Sequence, residues 1–133
     1  MFWEKLKSVT QITLHTKSGW HGTGKVLITE ESDTVLVFHE KGLWQPEDLA
    51  FHNTLRWTLE GETISLEHLR LGYPVFLLHL VPTGSNTLAS VTPHLCEEDT
   101  YLAQVLWDHY SIRLSWRVIG PHKNEEMEYN YLC

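Results

Sequence analysis

Between Tyr110 and Val118 the chain alternates without a break. Tyr110, Ile112, Leu114, Trp116 and Val118 fall on one side; Ser111, Arg113, Ser115 and Arg117 fall on the other. A period of two is the pleat of a β-strand, whereas helical geometry would scatter these residues around a cylinder. Thr54–Glu60 repeats the pattern, with Leu55, Trp57 and Leu59 on one face. Further strands are expected over Thr10–Thr16, Gly24–Thr29, Thr34–His39, Thr63–Leu69, Val75–Val81, Thr87–Thr92, Tyr101–Trp107 and Met127–Leu132. The gaps carry turn chemistry, as in Lys17-Ser18-Gly19, Glu60-Gly61-Glu62 and Pro82-Thr83-Gly84-Ser85-Asn86. About nine or ten short strands at hairpin spacing predict an all-β antiparallel meander. So many strands must hide their edges, and closure into a β-barrel does so; a β-sandwich is the alternative. Helix is expected only at the start, where Phe2, Trp3 and Leu6 would cap one barrel end. No repeat or linker divides the 133 residues, so residues 1–133 read as a single domain.

The formal charge of −7 repels phosphate backbones and argues against nucleic acid as a partner. The longest apolar run, Val75–Val81, is far short of the ~20 residues of a membrane-spanning helix, so no membrane association is expected. Two cysteines, Cys96 and Cys133, are too few for a disulfide framework, and a reduced, cytoplasmic setting is the expectation. Oligomeric state is not legible in the pattern.

Several residues are candidates for a site. His94 and Cys96 share a strand face, and Asp99 returns toward them across a bend; these are zinc-ligand types. Structural zinc needs four ligands at recognisable spacing, however, and neither C-x-x-C nor H-E-x-x-H occurs. No metal is therefore assigned, and a packed cysteine beside a hydrogen-bonded histidine is the favoured reading. A Cys96–His94 nucleophile pair is opposed by the charges of Glu97, Glu98 and Asp99. Among nine histidines, His79 interrupts an apolar run, which would suit a buried haem ligand or a satisfied core histidine. Gly120-Pro121 ends the best strand and projects Lys123 toward a barrel mouth, as an anion clamp or as the partner of downstream carboxylates. Arg113 and Arg117 would line the interior only if the polar strand face turned inward. Gly42, in Glu40-Lys41-Gly42-Leu43-Trp44 after the strand Thr34–His39, fits a hairpin or bulge. Trp44 and Trp20 lie near loops, where aromatics line or plug a mouth.

The strings His94-Leu95-Cys96-Glu97-Glu98-Asp99-Thr100-Tyr101 (H-x-C-x-x-D-x-Y), Trp116–Lys123 (W-x-V-x-G-P-x-K) and Tyr129-Asn130-Tyr131 (Y-x-Y) are the most distinctive of the chain. Together with Gly22-Thr23-Gly24 and His39-Glu40-Lys41-Gly42, they resemble a family of small, uncharacterised bacterial domains. That family is similar to lipocalin-like (calycin-type) barrels. The resemblance implies the barrel and brings no established activity. The expected function is binding of a small, partly apolar and possibly anionic molecule, with Trp44, His94, Cys96, Asp99, Tyr101, Arg117 and Lys123 as candidate contacts. Two alternatives stand beside it. One is a small barrel enzyme using His94, Asp99, Tyr101 or Lys123 as acid–base groups; the other is a protein-interaction module with a filled core. No cofactor is assigned.

Overall fold

The computed structural model describes residues 2–70, 73–90, 94–96 and 98–133, and for residues 75–77 and 94–96 the backbone alone. A five-residue helix α1 (Phe2–Leu6) precedes strands β1 (Gln11–Thr16), β2 (His21–Ser32), β3 (Val35–Gln45), β4 (Leu49–Glu60), β5 (Thr63–Arg70) and β6 (Tyr73–Gly84). Then come β7 (Thr87–Ser90), β8 (His94–Cys96), β9 (Asp99–Trp107), β10 (Ser111–Gly120) and β11 (Lys123–Leu132). Successive strands pair antiparallel from β1 to β7, β7 pairs with β9, and β9, β10 and β11 lead back to β1. The sheet is therefore closed into a barrel rather than split into a sandwich. β7 and β8 share one place in the wall, against Gln104–Leu106 and Asp99–Tyr101 of β9 respectively.

The alternation sorts the residues as their chemistry requires. Ile112 and Leu114 of β10, Leu55 and Trp57 of β4, Leu36 and Phe38 of β3, and Ile64 and Leu66 of β5 all point inward and are buried. Phe38, Trp57 and Tyr131 meet at ring-centroid distances of 5.4–6.3 Å in the middle of the core. α1 closes one end. Its Phe2 ring lies 4.7 Å from Trp107, and the Trp3 indole donates to the Asp33 carbonyl at 3.2 Å. This end is filled, so the helix is a plug.

Three sequence expectations shift. Tyr110 lies in the turn before β10 and is 80% exposed, because Asp108 accepts hydrogen bonds from the Tyr110 and Ser111 amides and bends the chain there. β3 runs on through Glu40-Lys41-Gly42 to Gln45, where a hairpin or bulge was expected. Gly42 faces Gly24 across the β2–β3 ladder, and a Cβ on Gly42 would lie 2.7 Å from both the Gly24 Cα and the Phe51 ring. Glycine here allows close approach of two strand backbones and marks a kink in the barrel wall. His79 points outward, with its Nδ1 3.0 Å from the Ser65 hydroxyl, so it is not a core histidine and offers no haem ligand to the interior. The Gly61-Glu62 hairpin forms as expected, with Gly61 at a φ of 64°.

Candidate functional site

The end opposite α1 is open. The β1–β2, β3–β4 and β10–β11 connections gather there, and the inward faces of the strands change character toward it. β3 goes from Leu36 and Phe38 to Glu40; β4, read back toward its start, from Trp57 and Leu55 to Asn53; β5 from Leu66 to His68 and Arg70. A cavity of about 300 Å³ opens between these strands and β9–β11, lined by Asn53, His68, Arg70, Tyr101, Trp116 and Tyr129 among others. The volume suits a one- or two-ring molecule. A broader groove of about 650 Å³ crosses the outer faces of β9, β10, β11 and β1; in it Arg117 pairs with Glu126 at 3.7 Å, and Glu128 pairs with the neighbouring Arg113 at 3.3 Å.

One layer below the cavity wall, Glu40 is fully buried between β2 and β4. The Tyr131 hydroxyl donates to its Oε2 at 2.6 Å, while Oε1 is buried with no hydrogen-bond partner. Burial raises the carboxyl pKa to about 8, against the pull of the Tyr131 and Asn53 side chains. Glu40 therefore keeps its proton at neutral pH, because an ionised carboxylate has too little polar company here. Tyr129 and Tyr131 are held protonated too, by burial first and then by the adjacent Glu40. His68 is pushed toward its neutral form by burial, then by Arg70 and His52. Arg70 Nε donates to His68 Nδ1 at 3.4 Å, which leaves the ring proton on Nε2. The Trp116 Nε1–H is buried and has no partner.

The sequence candidates divide. Tyr101 lines the cavity. Trp44 stands near its rim, packed on Phe51 at 5.5 Å and on Trp20 at 6.4 Å. Lys123 is also at the mouth, and its partner is Asp99 at 3.5 Å rather than a downstream glutamate. Arg117 points outward and so stays away from the cavity: the apolar face of β10 turns in, and the charged face meets water. Of His94 and Cys96 only the backbone in β8 is described; their side chains lie outside the described residues. Among the described residues no cluster of three or more metal-ligating side chains occurs, and no helix is long and apolar enough to cross a membrane. Glu40, Asn53, His68 and Arg70 were not expected. Their signal was present in the alternation: each occupies an inward position of a strand whose other inward residues are apolar.

The sequence from residue 3 to 132 matches the model of a family described as "Family of unknown function (DUF6314)". The chain belongs to this family. The DUF6314 match spans the whole barrel and α1 from Trp3 onward. A search of the curated proteins finds no match. Among solved structures the chain is similar to a redesigned β-barrel, mFAP1, bound to DFHBI, with 11% identity, a TM-score of 0.54, and 94% of this chain and 92% of that one covered. It is also similar to a fluorescence-activating β-barrel designed de novo, with 7% identity, a TM-score of 0.53, and 94% and 91% covered. At such identities the likeness is one of fold.

Proposed function

We propose that this member of DUF6314 binds a small, partly apolar molecule in the open end of its barrel, in the manner of a lipocalin-like carrier. The observation that carries the reading is the asymmetry of the two ends. One is plugged by Phe2, Trp3 and Leu6; the other keeps a cavity of about 300 Å³ whose wall mixes the aromatic surface of Tyr101, Trp116 and Tyr129 with the polar side chains of Asn53, His68 and Arg70. A barrel built only for stability or for its outer surface would fill both ends, since lost packing costs stability. The redesigned barrel mFAP1, bound to DFHBI, lends the reading a precedent in fold.

The test is direct. Native mass spectrometry of the purified protein should show a co-purifying small molecule, and the neutral probe 2-naphthol should quench tryptophan fluorescence saturably. Val118→Trp fills the cavity from β10 and should abolish the quenching with the melting temperature retained. Equal quenching of the wild type and this variant would place the probe elsewhere and remove the cavity as the site.

A further inference from the structure

The charge of the ligand is written in the arginines. The chain has four: Arg56, Arg70, Arg113 and Arg117. Arg56 pairs with Glu67 at 2.8 Å, Arg113 with Glu128 and Arg117 with Glu126, all on the outer wall. Arg70 lines the cavity and has no carboxylate partner among the described residues; its contact there is the His68 ring. A guanidinium presents a planar fork of donors matched to a carboxylate, and placing one beside an apolar cavity without a counter-ion leaves that match open. His68 beside it points the same way: the ring Nε2 left by the Arg70 contact donates.

Resting on the binding reading above, we infer that the ligand is an organic acid: an apolar, ring-sized body against Trp116, Met127 and Tyr129, with an anionic oxygen held by the Arg70 guanidinium beside the His68 ring. The buried carboxyl of Glu40 would oppose an anion if it were ionised. It is protonated at neutral pH, as are the phenols of Tyr129 and Tyr131 that pack beside it from β11. From β4 the facing polar group is the uncharged Asn53, and from β5 the neutral His68 and cationic Arg70. Glu125, at the exposed start of β11, is the one carboxylate among the described lining residues. It lies at the solvent side, where screening is strongest.

Three probes of one shape separate the possibilities: 2-naphthoate (anion), 2-naphthamide (neutral) and 2-naphthamidine (cation), titrated at pH 7 by two-dimensional NMR of the ¹⁵N-labelled protein. The expected order is naphthoate tightest, naphthamide weaker, naphthamidine weakest. Arg70→Gln should weaken naphthoate roughly tenfold or more, the value of a charge-assisted hydrogen bond, with naphthamide changed less than about twofold. Arg70→Lys should restore part of the loss. Tighter binding of naphthamidine overturns the acid assignment and leaves the cavity standing, with Glu125 as the counter-ion of a cation. Undiminished naphthoate affinity in Arg70→Gln likewise overturns it. Failure of all three probes at millimolar concentration overturns the binding reading itself.

Discussion

Replacing Glu40 by Gln should flatten the pH dependence of stability. In the unfolded chain this carboxyl titrates near its ordinary 4.5; in the barrel, burial lifts it to about 8. Below pH 4.5 both states hold the proton and the group contributes no slope. Between the two values the unfolded chain has released its proton and the native barrel has not, so rising pH favours unfolding. The slope is about 1.4 kcal/mol per pH unit. Over the roughly 3.5 pH units between the two values, the loss accumulates to on the order of 5 kcal/mol. Above pH 8 both states are ionised and the slope vanishes. Glu40→Gln removes this component while keeping the shape and an acceptor for the Tyr131 hydroxyl. Urea denaturation of both proteins at pH 5, 6, 7, 8 and 9 measures it, since the other titrating groups cancel in the difference. The variant should gain on the wild type with each step up to pH 8 and overtake it in the alkaline range. A stability difference constant from pH 5 to 9 would refute the buried, protonated carboxyl.

Tyr131→Phe strips Glu40 Oε2 of its donor; it should cost about 1–3 kcal/mol and push the Glu40 titration higher still, both readable from denaturation and from ¹³C-carboxyl NMR. Gly42→Ala should cost at least about 2 kcal/mol, because the added Cβ meets the backbone of β2 and the Phe51 ring with no room to move away; a near-neutral melting temperature would mean that the kink is not forced. Lys123→Ala removes a half-exposed ion pair to Asp99 and should change stability by less than about 1 kcal/mol. A larger loss would show the Asp99–Lys123 contact fastening the β10–β11 turn to β9.

The fold was legible because its strands obey one period. Thr54–Glu60 and Ile112–Val118 assign their faces unaided, and Phe2, Trp3 and Leu6 in so short a helix have nowhere to go but onto a barrel end. Glycine misled the reading at Gly42, where the residue marks a close crossing of two continuous strands; nothing local tells a kink from a turn until the partner Gly24 is known. The site was harder for a related reason. Arg117 and Lys123 are conspicuous cations in the most distinctive strings, and Arg113 lies just before them, yet each meets a carboxylate in the folded barrel that the sequence does not display. Arg70, His68, Asn53 and Glu40 sit on four inward positions of three consecutive strands. A parity count carried to the strand ends would have found them, because the apolar-to-polar change falls at the same barrel end in all three. His94 and Cys96 carry no weight in this site, since their side chains lie outside the described residues.

The central claim is that the open end of the barrel is the binding site, with Trp116 in its wall. The indole ¹⁵N–¹H signal of Trp116, assigned through Trp116→Phe and followed during titration with 2-naphthoate, tests it most directly. The account predicts a shift of the Trp116 indole signal that saturates with a single affinity, as the ligand packs on its ring, with the largest backbone shifts confined to Asn53, His68, Arg70, Tyr101 and Tyr129. A stationary Trp116 signal, with shifts instead along the outer groove at His15, Gln104 and Arg117, would contradict it.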